Sequence, residues 1–137
     1  TGSDENQFSE VRANGGGDGR ALLATDAHRN TFKNSTFACS EFSAAVVTGD
    51  GNKFIRNSFT TNAAGTGMYL EGDETLLDSN TVRGSVDTGI ALRGSRGTLR
   101  RNLVEGAGTG LAVDGVGHLL ERNSLSNMDI GLVVSGT

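Results

Sequence analysis

Asp26, Asp50 and Asp73 fall 24 and 23 residues apart, each just after a short apolar run. Three carboxylates one structural repeat apart repel one another unless a cation neutralises them or they splay into water. Hard oxygen ligands in that number suit Ca²⁺, and Glu71 and Glu74 add negative charge nearby. Turn chemistry is the plainer reading, because Asp is a common turn former; acid–base catalysis is the third. A second set, Glu71, Arg93 and Asp114, keeps similar spacing, with Thr48 before it and Ser135 after it. An acid–base–acid run at one-repeat spacing predicts a cross-strand ion-pair ladder, worth roughly a few tenths of a kcal/mol per pair. Glu71 and Asp114 would then lie two strands apart, on the order of 9 Å, which is also the carboxylate separation of an inverting glycosidase. Asp78, Arg100 and Glu121 repeat the charge pattern. A pattern that appears twice on different strands points to architecture. The third set, Leu22, Val46, Tyr69, Ala91, Ala112 and Val133, carries no charge although alternation turns it outward. A flat apolar stripe on a sheet face is expected to be covered by something. Tyr69 is its only aromatic residue, so a protein contact suits it better than stacking on sugar rings.

The remaining reactive side chains converge less. Cys39 is the only cysteine, so no intrachain disulfide forms. It lies between Phe37 and Phe42 and reads as an inert core or turn residue. His28 and His118 belong to distant parts of the chain and form no transition-metal set.

The elements that must position these residues follow from a repeat. Gly67-Met-Tyr-Leu-Glu-Gly72 returns as Gly89–Gly94, Gly110–Gly115 and Gly131–Gly136, with a looser copy at Ala44–Gly49. The closing glycines are 23, 22, 21 and 21 residues apart, and Asn57, Asn80, Asn102 and Asn123 drift in step at 23, 22 and 21. Two motifs drifting together at such a period are the signature of a solenoid. Upstream, Asn30-Thr-Phe32 is matched to Asn57-Ser-Phe59, with a four-residue insertion inside Lys33–Ser43, and Asn6-Gln-Phe8 is matched to Asn30. Leu22–Asp26 is matched to Val46–Asp50. Within each repeat two short segments alternate with period two, such as 98–104 and 110–114, and turns rich in Gly, Asn, Asp and Ser separate them. They are too short for helices and read as strands. The L-x-x-L-x-L-x-x-N frame of leucine-rich repeats is missing, and hexapeptide and RTX-type repeats have the wrong period. The prediction is an all-β, right-handed parallel β-helix of five to six coils of 21–24 residues, with its hand set by the general rule for parallel crossovers.

Equal positions in successive coils form columns. Four apolar columns are expected inside: Phe54, Leu77, Leu99, Leu120; Phe59, Val82, Val104, Leu125; Met68, Ile90, Leu111, Leu132; and Leu70, Leu92, Val113, Val134. Asn30, Asn57, Asn80, Asn102 and Asn123 are expected to form an internal amide ladder.

The alternation of N-x-hydrophobic with G-hydrophobic-x-hydrophobic-x-G over residues 5–137 resembles the repeat of the pectate-lyase-like superfamily, which includes polysaccharide lyases, polygalacturonases and alginate epimerases. The resemblance implies a polysaccharide ligand, Ca²⁺ held by acids from adjacent coils (Asp26, Asp50, Asp73), Arg93 as the positional candidate for a lyase base, and an extracellular or cell-surface setting. The Asp-Pro-His-Asp motif of the epimerases is absent, since the chain has no proline. The turns are also short, whereas superfamily enzymes wall a cleft with long loops.

Composition closes off other classes. A net charge of −4 with interspersed signs gives no concentrated basic surface for nucleic acid, and no apolar run reaches membrane-spanning length. One domain over 1–137 is expected, either whole or as part of a longer solenoid. The last repeat keeps full repeat character, so homo-oligomers or head-to-tail stacking through sheet ends is expected. Two functions follow: a non-enzymatic module that presents a flat face to protein or polysaccharide and self-associates, or a lyase, hydrolase or epimerase-like domain using acids on stacked coils.

Overall fold

The structure, a computed structural model, describes residues 3–16, 19–62 and 64–136. It is an all-β parallel solenoid of about six turns, with every strand paired to its counterpart one turn away. Each turn contributes to three faces. Face one stacks Gln7–Ser9, Thr31–Lys33, Lys53–Ile55, Leu76–Asp78, Thr98–Arg100 and Leu119–Glu121. Face two stacks Arg12–Gly15, Thr36–Cys39, Ser58–Thr61, the first parts of Thr81–Ser95 and Leu103–Val116, and Ser124–Ser126. Face three stacks Leu22–Ala24, Ala45–Thr48, Thr66–Glu71, the later parts of Thr81–Ser95 and Leu103–Val116, and Ile130–Ser135.

The four predicted apolar columns are present in register. Phe54, Phe59, Met68, Leu77, Ile90, Leu92, Leu99 and Val104 are buried within the prism. Towards the first turns the columns become aromatic. Phe8, Phe32 and Phe54 stack with ring centroids 4.9 and 5.0 Å apart, and Phe37 and Phe59 at 5.2 Å. These values match the rise between parallel strands, so like side chains lie flat on one another.

The corners explain the polar landmarks. Asn57, Asn80, Asn102 and Asn123 form the expected ladder: each backbone N–H, and each side-chain amide, donates to the Oδ1 of the next rung at 2.9–3.1 Å. Asn30 is not part of it. It belongs to a second ladder at the other edge of face one, Asn6–Asn30–Asn52, while Ser35 occupies the rung before Asn57. The four-residue insertion therefore disappears, and Phe32 pairs with Phe54 and Phe37 with Phe59. The physical reason is that both edges of face one ask for the same motif, an inward amide, an outward polar residue and an inward Phe. Asn52-Lys-Phe54 and Asn57-Ser-Phe59 are five residues apart and indistinguishable by pattern.

Before the asparagines, and before Ser35, Thr75 and Gly97 at the equivalent corners, the chain passes through the left-handed region. Arg29, Glu74 and Arg96 do so at one edge (φ 54–57°), and Asn34, Arg56, Ser79, Arg101 and Arg122 at the other (φ 50–60°). Left-handed non-glycine residues cost roughly 1 kcal/mol each, and the buried ladders that follow offset that cost. The glycines that close face three have another task. Gly49, Gly72, Gly94, Gly115 and Gly136 have φ between 112° and 152°, and a Cβ on any of them would run into the backbone carbonyl one turn below. Only glycine meets both conditions.

Candidate functional site

Face three gathers most of the side chains singled out in the sequence. On its outer side Val46, Tyr69, Ala91, Ala112 and Val133 form one column, in register through five turns. Leu22 is not in it. The structure pairs Leu23 with Val46 and Leu22 with Ala45, so Leu23 is the outward residue, 59% exposed, and Leu22 packs against the core. The cause is one extra residue near Thr25–Asp26. The offset to the next turn is 23 at Leu23 but 22 at His28, whose side chain meets Asp50. A slip of one residue turns every side chain of a strand to the opposite face.

Beside this column run Thr48, Glu71, Arg93, Asp114 and Ser135, in the predicted register. The expected ion-pair ladder does not form. The Tyr69 hydroxyl donates to Glu71 Oε2 at 2.8 Å, and Ser135 Oγ donates to Asp114 Oδ1 at 3.0 Å. Arg93 lays its guanidinium over the Tyr69 ring, 5.6 Å from the centroid, with Nη1 3.3 Å from the phenolic oxygen. Among the described residues it has no carboxylate within ion-pair distance. The hydrogen bond to Glu71, with burial and the Glu71 charge, raises the Tyr69 pKa above its usual value, against the opposing pull of Arg93. Glu71 and Asp114 lie two rungs apart, roughly 9–10 Å by the sheet spacing, with Arg93 between them. The column and its neighbours floor a shallow depression that also takes in Thr66 and Thr88.

The second charged run forms in part. Asp78 is paired with Arg100 at 2.7 Å and with Arg101 at 3.0 Å, its side chain only 11% exposed, whereas Glu121 turns to Arg122. Burial pushes the Asp78 carboxyl up, but hydrogen bonds from Ser79, Arg100 and Arg101 outweigh it and hold the pKa below the ordinary range. This cluster sits on face one, away from the column.

Asp26, Asp50 and Asp73 do not form the predicted carboxylate column. Asp26 lies at the Thr48 rung, where its N–H donates to Thr48 Oγ1 at 3.1 Å. The column that contains Asp50 and Asp73 continues downward through His28 to Asp4, and each member caps the next turn. Asp4 Oδ1 accepts the His28 N–H, His28 Nδ1 accepts that of Asp50, Asp50 Oδ1 that of Asp73, and Asp73 Oδ1 that of Ser95. His28 Nδ1 also lies 4.0 Å from Asp50 Oδ2. Asp73 also pairs with Arg96 at 3.4 Å. The Asp50 and Asp73 carboxylates each accept a backbone N–H, Asp26 is set off from them at the Thr48 rung, and among the described residues no group of three or more His, Cys, Asp or Glu side chains could hold a metal. The three aspartates do not fit a Ca²⁺ site. Sequence reasoning missed His28 as their true rung-mate, because a histidine accepting through Nδ1 does not look like an aspartate.

Cys39 is buried, its Sγ donating to the Gly19 carbonyl and accepting the Phe42 N–H. His118 Nδ1 accepts the Gly97 N–H at 3.1 Å, far from Cys39 and His28 in the stack. Nothing in these contacts activates a nucleophile. Among the described residues no helix is long and apolar enough to cross a membrane.

In comparisons with known proteins, the family model for a right-handed β-helix region matches residues 1–137. No curated protein matches the chain.

Proposed function

The chain belongs to the right-handed β-helix family, and on that framework we propose that it is a non-catalytic binding and scaffolding module whose contact surface is face three. One observation carries the reading: an uncharged outward column runs through five successive turns, Val46 to Val133, on a flat sheet. The acids beside it, Glu71 and Asp114, are tied to hydroxyls of their own chain. A flat, apolar, charge-edged face suits a protein partner or a polysaccharide chain lying along it. Self-association is part of the proposal. Face-to-face packing would use this column. An extracellular or cell-surface setting fits a scaffold of this kind.

The test is Ala112→Arg and Tyr69→Asp, compared with the unaltered protein for concentration-dependent association and for retention on immobilised uronic-acid polymers. Loss of association or retention supports the reading. If both variants behave like the parent in both assays, face three is not the contact surface.

A second reading, a polysaccharide lyase, hydrolase or epimerase, draws on Arg93, a cation above the shallow depression with no carboxylate partner among the described residues. Incubation with uronic-acid polymers, with and without Ca²⁺, decides it. New unsaturated ends, shortened chains or epimerised residues would establish it in place of the binding module.

A further inference from the structure

We propose that the occupant of face three is a second copy of the chain, packed face to face about a two-fold axis that runs along the strands midway between the Tyr69 and Ala91 rungs. The proposal rests on face three being a contact surface and names what covers it.

The column is graded in size. Leu23, Val46 and Tyr69 fill its first half, Ala91 and Ala112 its second, and Val133 closes it. A two-fold axis along the strand keeps each residue's place along the strand and reverses the order of the rungs. Tyr69 then meets Ala91 of the second copy, Val46 meets Ala112, and Leu23 meets Val133, each contact occurring twice. At the four inner contacts large side chains fall on alanines, which is what two sheets need to approach to about 10 Å, and Leu23 against Val133 closes the two ends. A half-turn about any axis that leaves Tyr69 facing Tyr69 loses this fit.

Charge follows the same operation. Glu71 is in the rung of Tyr69 and Arg93 in the rung of Ala91, so Glu71 of one copy faces Arg93 of the other, again twice. Thr48 faces Asp114, a hydroxyl opposite a carboxylate. Arg93 is exposed and has no ion pair in its own chain among the described residues, although Glu71 is its cross-strand neighbour. Its guanidinium is already ordered over Tyr69 and Glu71 is already held by the Tyr69 hydroxyl, so little side-chain freedom remains to be lost on pairing. An interface of self-complementary rungs is isologous, the commonest form of homodimer.

The area is sufficient. Six rungs about 4.8 Å apart and strands of about 20 Å give a footprint of roughly 550 Å² per copy, or about 1,100 Å² in total. That just clears the roughly 1,000 Å² of a specific interface, so a reversible dimer with a dissociation constant in the micromolar range is expected.

The experiment is exchange of charge in trans, read by sedimentation velocity on the full chain at about 10–300 µM, with folding checked by far-ultraviolet circular dichroism. Glu71→Arg alone places two cations opposite each other at both contacts, and Arg93→Glu alone places two anions there. Each variant alone should dimerise at least tenfold more weakly than the parent, whereas an equimolar mixture should form a heterodimer of near-parental strength, since the guanidinium at position 71 then faces the carboxylate at position 93. A parent that stays monomeric throughout would overturn the proposal, and so would a parent dimer whose two variants fail to associate when mixed. Ala112→Arg separates the two levels. If it abolishes association while the mixture fails, face three remains a contact surface and the two-fold register is wrong; if it leaves the parent's association intact, the dimer proposal falls, and face three as a contact surface falls with it when retention on uronic-acid polymers is unchanged as well.

Discussion

Asn80 gives the sharpest test of what holds the stack together. Its side chain is buried, 1% exposed, and every polar atom of the amide is used. Oδ1 accepts the Asn57 N–H at 3.0 Å and the Asn57 side-chain amide at 3.1 Å, while Nδ2 donates to the Phe54 carbonyl at 2.8 Å and to Asn102 Oδ1 at 3.0 Å. Asn80→Leu keeps the volume and keeps water out, but leaves the Asn57 N–H without its acceptor and the Phe54 carbonyl without this donor. Each buried group so stranded costs about 1–3 kcal/mol. Asn57 Nδ2 retains the Phe32 carbonyl and Asn102 Oδ1 retains the Asn80 backbone N–H, so only two groups are stranded and the total should be about 2–6 kcal/mol. Asn123→Leu is the internal control. Its rung is half-buried, water can replace the lost bonds, and the cost should fall to about 1 kcal/mol. Guanidinium unfolding followed by far-ultraviolet circular dichroism gives both numbers, and amide exchange should show the Asn57 N–H opening faster in Asn80→Leu. A cost below about 0.5 kcal/mol for Asn80→Leu, or equal costs for the two sites, would refute the ladder as a stabilising device.

Three further outcomes follow from the structure. Asp78→Ala should destabilise the fold by about 1–3 kcal/mol, because two arginines lose a largely buried carboxylate; pairing Asp78→Ala with Arg101→Ala in a double-mutant cycle should show coupling. The Asp78 pKa is lowered by folding, so its contribution is fully present above the unfolded carboxylate value of about 4 and is lost as pH falls through the folded value; in Asp78→Ala that part of the acid dependence should be absent. Gly94→Ala should cost more than about 2 kcal/mol by thermal unfolding, since φ is 131° and the new Cβ meets the Gly72 carbonyl. Tyr69, the only tyrosine, should ionise above its usual value of about 10 in an absorbance titration, and Glu71→Gln should bring that value down. A raised tyrosine pKa adds stability that is present below pH 10 and lost as pH rises through the folded value.

How much of this was legible depended on whether a residue's pattern was unique within the turn. The Gly-hydrophobic-x-hydrophobic-x-Gly motif marks face three in four successive coils, from Gly67–Gly72 to Gly131–Gly136, with a looser copy at Ala44–Gly49. The columns Met68–Leu132 and Leu70–Val134, and the outward columns from Val46 and Thr48 onward, could therefore be aligned from the sequence alone. Asn-x-Phe occurs at both corners of face one in the coil of Asn52-Lys-Phe54 and Asn57-Ser-Phe59, so the pattern matches Asn30-Thr-Phe32 equally well to either corner, and only the hydrogen bonds place Asn30 with Asn52. Leu22 and Asp26 fell on either side of a single extra residue, and a period-two pattern carries no record of such a slip. Ion pairing along Glu71, Arg93 and Asp114 was not readable either. Whether an arginine bonds a carboxylate or lies on a ring depends on side-chain geometry, and Tyr69 two residues from Glu71 supplies both a hydroxyl for the acid and a ring for the cation. The aspartate column failed for a related reason: the same residue type serves a metal or a backbone N–H, and only the positions of the donors tell the two apart.

The most direct check on face three as the contact surface is sedimentation velocity of the parent and of Ala112→Arg over the same concentration series, with and without Ca²⁺. The account predicts a sedimentation coefficient that rises with concentration for the parent, stays at the monomer value for Ala112→Arg, and does not respond to Ca²⁺ in either. Identical concentration dependence in the two proteins would contradict it.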